Sequence, residues 1–94
     1  MVVGLATLTL VVPDATSLKD KRRVVRSVTS RLRARHNVAV AEVGSQGTRQ
    51  TIALGLACVS NDAGHAHAVL EKAVHFVGRQ RIDAELADYS IEML

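Results

Sequence analysis

The chain predicts a ferredoxin-like α+β fold, βαββαβ, with a four-stranded antiparallel sheet and two helices on one face. Three observations carry that expectation. Four segments are β-branched or alternate apolar with polar residues, two segments repeat apolar residues at helical spacing, and they follow one another in the order β-α-β-β-α-β. Each half then reads as a strand, a crossover helix and a strand, which the right-handed crossover rule makes self-consistent.

Residues 2–12 are apolar and rich in Val, Leu and Thr, and Pro13-Asp14 ends them as a strand and turn. Ser17 precedes a run of helix formers over residues 18–36, with Asp20 three residues on as a capping-box partner. Leu18, Val24, Val25, Val28 and Leu32 fall on one side of that helix, and Asn37 is a left-handed stop signal. Residues 38–43 (VAVAEV) and 50–59 (QTIALGLACV) read as strands joined by a glycine-containing hairpin loop. Ser60, Asn61 and Asp62 offer N-caps for a second helix over residues 62–77. Its stripe is Ala66, Val69, Leu70, Ala73, Phe76 and Val77, and Gly78 stands at the expected C′ position. The last strand spans about residues 85–93. Its apolar parity switches from Ile82, Ala84 and Leu86 to Tyr89, Ile91 and Met93, so it starts late or is bulged near Ala87-Asp88.

With 94 residues, residues 1–94 form a single ferredoxin-like domain. Phe76 and Tyr89 are the only aromatic residues, so the core is built from Val, Leu, Ile and Ala. A lone cysteine, Cys58, excludes an intrachain disulfide, a zinc knuckle and a CxxC pair. The uncharged start MVVGLATLTLVV lacks the basic n-region of a secretory signal and is shorter than the roughly 18 apolar residues of a membrane span. It reads as a buried strand, and a cytoplasmic location is expected, with no membrane contact.

Charge is unevenly placed. Residues 18–36 hold eight basic residues against Asp20, a net of +7, while the remainder has four basic and eight acidic residues, a net of −4. Lys19, Arg22, Arg23, Arg26 and Arg33 fall within an arc of roughly 100°, opposite the apolar stripe. Lys21 and Arg35 point nearer the apolar side and are expected to snorkel. A row of cations without neighbouring carboxylates suits phosphates, through bidentate arginine contacts and counterion release. The bland alternative is a solvated helix face, and a third is an acidic protein partner. The two long strands carry no aromatic residue, which excludes base stacking of the RRM type. Nucleic-acid binding would therefore read phosphate and shape, as structured RNA offers.

Other constellations are weaker. His67, Glu71 and His75 lie at i, i+4 and i+8, placing the histidines about 12 Å apart along the axis. That reads as a solvated face rather than a metal site. Cys58 alternates with Ile52, Leu54 and Leu56, so it reads as a buried thiol rather than a nucleophile. The loop of residues 44–49, with Arg49, reads as a plain hairpin before an anion nest. The phosphate-cradling loop by which acylphosphatases use this fold has no counterpart, since residues 13–17 are acidic and glycine-free. No catalytic constellation, metal set or cofactor motif is found. The sheet face bearing Ala53, Gly55, Ala57, Val59, Thr7 and Thr9 reads as smooth and weakly polar, able to pack on a second copy. Asp83, Glu85, Asp88 and Glu92 on the last strand discourage strand addition there.

The segments Ser17-Leu18-Lys19-Asp20-Lys21-Arg22, Asn37-Val38 with Ala41-Glu42-Val43, and Gly55-x-Ala57-Cys58-Val59-Ser60-Asn61-Asp62 resemble the YlxP-like family of small bacterial proteins. The resemblance spans essentially the whole chain. It implies a cytoplasmic ferredoxin-like protein of unassigned biochemical function, with a ribosome-linked role suggested by neighbouring translation and transcription genes. It carries over no catalytic residues. Gly44, Gly47 and Arg49 depart from the acidic and aromatic residues that family members have in this hairpin. The expectation is a non-enzymatic binding module that docks on structured RNA, ribosomal RNA among the candidates, through Lys19, Arg22, Arg23, Arg26 and Arg33. The alternative is a homodimeric protein-interaction module using the open sheet face, with no nucleic acid.

Overall fold

A computed structural model describes residues 1–44, 48–80 and 84–94. The order is β1 (Val2–Val11), α1 (Leu18–Arg35), β2 (Ala39–Gly44), β3 (Thr51–Ser60), α2 (Ala63–Arg79) and β4 (Glu85–Met93). The strands form one sheet in the order β2-β3-β1-β4, every neighbouring pair antiparallel. This is the expected ferredoxin-like βαββαβ fold. Half of the hairpin loop, residues 45–47, and the Ile82 and Asp83 positions lie outside the described residues.

Strand alternation builds the core. Ala6, Leu8 and Leu10 of β1 and Ile52, Leu54, Leu56 and Cys58 of β3 point to the helix side and are buried. From α2 they meet Ala66, Leu70, Ala73, Val74, Phe76 and Val77, and from α1 Val28 and Leu32. Gly4 lets α2 approach, because a Cβ there would lie 2.8 Å from Leu70 Cδ1. The parity switch in the last strand is a bulge. Leu86 pairs with Leu10 and Asp88 with Thr9, so Ala87 is the extra residue, and Tyr89, Ile91 and Met93 return to the helix side. Among the described residues no helix is long and apolar enough to cross a membrane.

Ser17 caps α1, accepting from Asp20 N–H at 3.1 Å. The reciprocal arm reaches one residue further back than in a capping box: Asp20 Oδ2 accepts from the Thr16 N–H at 3.1 Å and the Thr16 hydroxyl at 2.8 Å. At the other end the helix stops with His36 in an extended conformation, its N–H donating to Leu32 O. Asp62 caps α2, accepting from His65 N–H at 2.8 Å. Gly78 does not end that helix. The helix continues to Arg79, and Gln80 is extended rather than left-handed, so no C′ glycine is needed. Burial of Phe76 and Val77 holds the last turn helical against the roughly 1 kcal/mol cost of an internal glycine.

Two residues of α1 exchange their expected places. Leu18, assigned to the apolar stripe, is exposed, and Lys21, expected to snorkel, is buried at 2% exposure. The Lys21 ammonium donates to Thr48 O at 2.7 Å and lies 3.3 Å from Glu42 Oε2. A buried cation is tolerated only when its charge and protons are satisfied, and β2 supplies the charge by turning Glu42 to the same side as Val40. Removing one partner strands the other. Lys21→Ala is expected to cost about 3 kcal/mol in urea unfolding, and Lys21→Met combined with Glu42→Leu to regain most of it. An unchanged unfolding midpoint in Lys21→Ala would show that the pair does not hold the helix.

Candidate nucleic-acid interface on helix α1

Because α1 seats Val28, Leu32 and Lys21 against the sheet, its opposite side faces solvent. Lys19, Arg22, Arg23, Arg26 and Arg33 are all exposed there, as the helical spacing predicts. Their side chains are not equivalent. Arg33 Nη2 donates to Val40 O at 2.8 Å, tying the helix to the edge strand β2 and covering part of that edge. Arg23 reaches Asp20 Oδ1 at 4.0 Å with its side chain 74% exposed, a surface contact that contributes little. Lys19, Arg22 and Arg26 stand over the solvent between these two.

The only acid of the helix, Asp20, touches the row only at Arg23 and is otherwise held by the residue before the cap. Thr16 takes up the Asp20 carboxylate first through its hydroxyl and then through its N–H, which holds the pKa below the ordinary carboxylate value. The basic side chains are therefore met at Lys21 by Glu42, at Arg33 by a carbonyl and at Arg23 by Asp20, while Lys19, Arg22 and Arg26 are exposed to solvent.

Arg31 and Arg35 turn toward α2, which runs antiparallel beside the C-terminal half of α1. Arg31 Nη1 donates to Gln80 Oε1 at 2.9 Å, and the Arg35 guanidinium lies 5.3 Å from the centre of the Phe76 ring. Arg35 thus rests on an aromatic face instead of snorkelling along aliphatic core. His36, which the sequence reading passed over, packs its ring 5.2 Å from that of Phe76. Its Nε2 is buried and without a hydrogen-bond partner among the described residues. The signal available in sequence was a histidine at the end of a basic helix, which says nothing about an aromatic contact 40 residues away.

On α2, Glu71 lies between the two histidines expected on the polar face, one oxygen 3.9 Å from His67 Nε2 and the other 3.5 Å from His75 Nε2. Cys58 is a free, buried thiol. Arg49 Nη1 donates to Thr16 O at 3.3 Å, linking the β3 end of the hairpin to the start of α1.

The open sheet face differs from the weakly polar surface expected. Its β2–β3 half is apolar: Leu5, Thr7, Ala39, Ala41, Val43, Gly55 and Ala57 surround a shallow depression of about 450 Å³. Val43 occupies a bulge in β2 and leans over Gly55, where a Cβ would meet Val43 Cγ1 at 2.8 Å. The β4 half is acidic, with Glu85, Asp88 and Glu92 paired to Val11, Thr9 and Leu5 on the same face. Pairing register caused the difference, since it groups the small residues of β2 with those of β3 and leaves the threonines in the middle.

Burial lowers the His36 pKa below its ordinary 6.5, and repulsion from Arg35 and Lys72 lowers it further. The unfolded chain then binds the proton more readily than the folded one, so stability is full above about pH 6.5 and falls as the pH drops through that value. Thermal melts between pH 7.5 and 5 are expected to show this loss, and His36→Asn to flatten it; an equal slope in both proteins would contradict the assignment.

Comparison with known proteins places the chain. It is 32% identical over 75 residues to the uncharacterized protein YlxP of Bacillus subtilis (strain 168), covering 80% of this chain and 82% of that one. A crystal structure of a dimeric ferredoxin-like protein of unknown function from Thermobifida fusca matches 98% of this chain and 90% of its own, at 18% identity and a TM-score of 0.40. Residues 3–91 match the protein family of unknown function DUF503, and the chain belongs to that family.

Proposed function

We propose that this protein is a non-catalytic binding module that docks on structured RNA through the outer face of α1. The observation that supports the reading is the row Lys19, Arg22 and Arg26, exposed on a helix tied to the sheet by Lys21 and Arg33, while the only acid of the helix is occupied by Thr16. A helix carries its cations at fixed backbone spacing, so binding phosphates orders side chains but no backbone. The central strands β3 and β1 carry no aromatic side chain, so the recognition is of backbone and shape.

The test is binding of small-subunit ribosomal RNA and of a random RNA pool across a salt series. Steeply salt-dependent binding that favours the structured RNA is expected. Arg22→Glu with Arg26→Glu is expected to weaken it about ten-fold or more and to flatten the salt slope by roughly 0.7–0.9 per lost phosphate contact. Unchanged affinity and slope in a folded double variant would refute the reading.

A second reading rests on the apolar β2–β3 half of the open face, which fits a second copy of the chain. A two-fold axis over that half stacks apolar on apolar surface and keeps the β4 carboxylates of the two copies apart. Sedimentation at high micromolar concentration is expected to show a dimer that Val43→Asp converts to monomer. Monomer alone for the unaltered chain would sink this reading.

A further inference from the structure

Between the C-terminal halves of α1 and α2 lies a groove of about 470 Å³ lined by Arg35, His36, Lys72, His75, Phe76 and Arg79. Five of these six side chains are basic and none is acidic. We propose that this groove is a binding site for a compact polyphosphate group, separate from the RNA-docking row on the outside of α1.

The arrangement follows from helix geometry. Lys72, His75 and Arg79 stand at i, i+3 and i+7, on one side of α2 over about 10 Å of its length. Arg35 faces them from α1, its guanidinium placed by the Phe76 ring 5.3 Å away rather than by a carboxylate. Among the described residues neither Lys72 nor Arg79 forms an ion pair. Among the described residues Glu71, which meets His75, is shared with His67 and is not part of the lining.

Basic residues in a last helical turn compensate the helix dipole, and that alone accounts for Arg35 and Arg79. It does not account for Lys72 and His75, which lie farther from the helix end. Cations gathered in a concavity repel one another, and a multiply charged anion relieves that repulsion. A diphosphate offers several charged oxygens in the space of one groove, which arginine and lysine donors can share. The site is distinct from the outer row because Arg35 stands nine residues after Arg26, about 180° around the helix.

Pyrophosphate is the probe, titrated into the folded protein and followed by calorimetry and by NMR of the Phe76 ring and the His36 and His75 imidazoles. Saturable binding that shifts these resonances is expected, with sulfate markedly weaker. Lys72→Ala with Arg79→Ala, both exposed positions, is expected to weaken it roughly ten-fold or more, and Arg22→Ala with Arg26→Ala to leave it unchanged. The proposal is overturned if millimolar pyrophosphate leaves those resonances in place, if sulfate binds equally, or if the two double variants weaken binding alike. It is also overturned if a structured RNA displaces pyrophosphate and the groove variant loses RNA as much as pyrophosphate, since the phosphate source is then RNA. Failure of the outer-row reading alone, seen with Arg22 and Arg26, leaves this result untouched.

Discussion

Helix α1 carries so much positive charge that every side of it except a narrow apolar strip favours water, and its seat on the sheet depends on bringing one of those charges inside. Lys21 does this by meeting Glu42 of β2 and a carbonyl beside β3. The contact joins three segments far apart in sequence and fixes where the helix begins. A second tie, Arg33 to the Val40 carbonyl, fixes how it lies along the edge strand. Between them Val28 and Leu32 supply the apolar contact. With these positions taken, the remaining cations have nowhere to go but outward or toward α2.

The result is a molecule whose surfaces differ by chemistry. The outer side of α1 is cationic and convex. The groove between the helices is cationic and concave, over an aromatic ring. The open sheet face is apolar at β2 and β3 and acidic at β4. None of these surfaces is required by the fold, whose core is satisfied by the apolar layer between the two helices and the sheet. Their separation lets one small domain carry the proposed docking row, the proposed anion groove and an apolar sheet face side by side.

Much of this was legible along the chain. The six elements and their order followed from alternation and helical spacing, while the parity switch left a late start or a bulge near Ala87-Asp88 open until the pairing with β1 showed the bulge. Ser17 was legible as a cap because capping depends on residues three apart, and Asp62 was one of three adjacent candidates, of which the start of α2 at Ala63 selects it. The outward row was legible too, since helical periodicity alone places Lys19, Arg22, Arg23, Arg26 and Arg33 on one side. Four positions were misread. Gly78 was assigned by its propensity to stop a helix, and Lys21 and Arg35 were expected to snorkel, whereas Glu42, Thr48 and Phe76 on other segments decide where the two cations sit. Leu18, counted in the apolar stripe, is exposed in the first turn.

The sequence by itself determined the fold class and the charge carried by α1, because both arise from local periodicity and from counting. The tertiary structure alone decided which cations are committed and which are available. It also gathered Arg35, His36, Lys72, His75 and Arg79 into one groove, and grouped the small residues of β2 and β3 into an apolar patch. Helix pairing and strand register bring together residues tens of positions apart, and no local pattern in the chain records those distances.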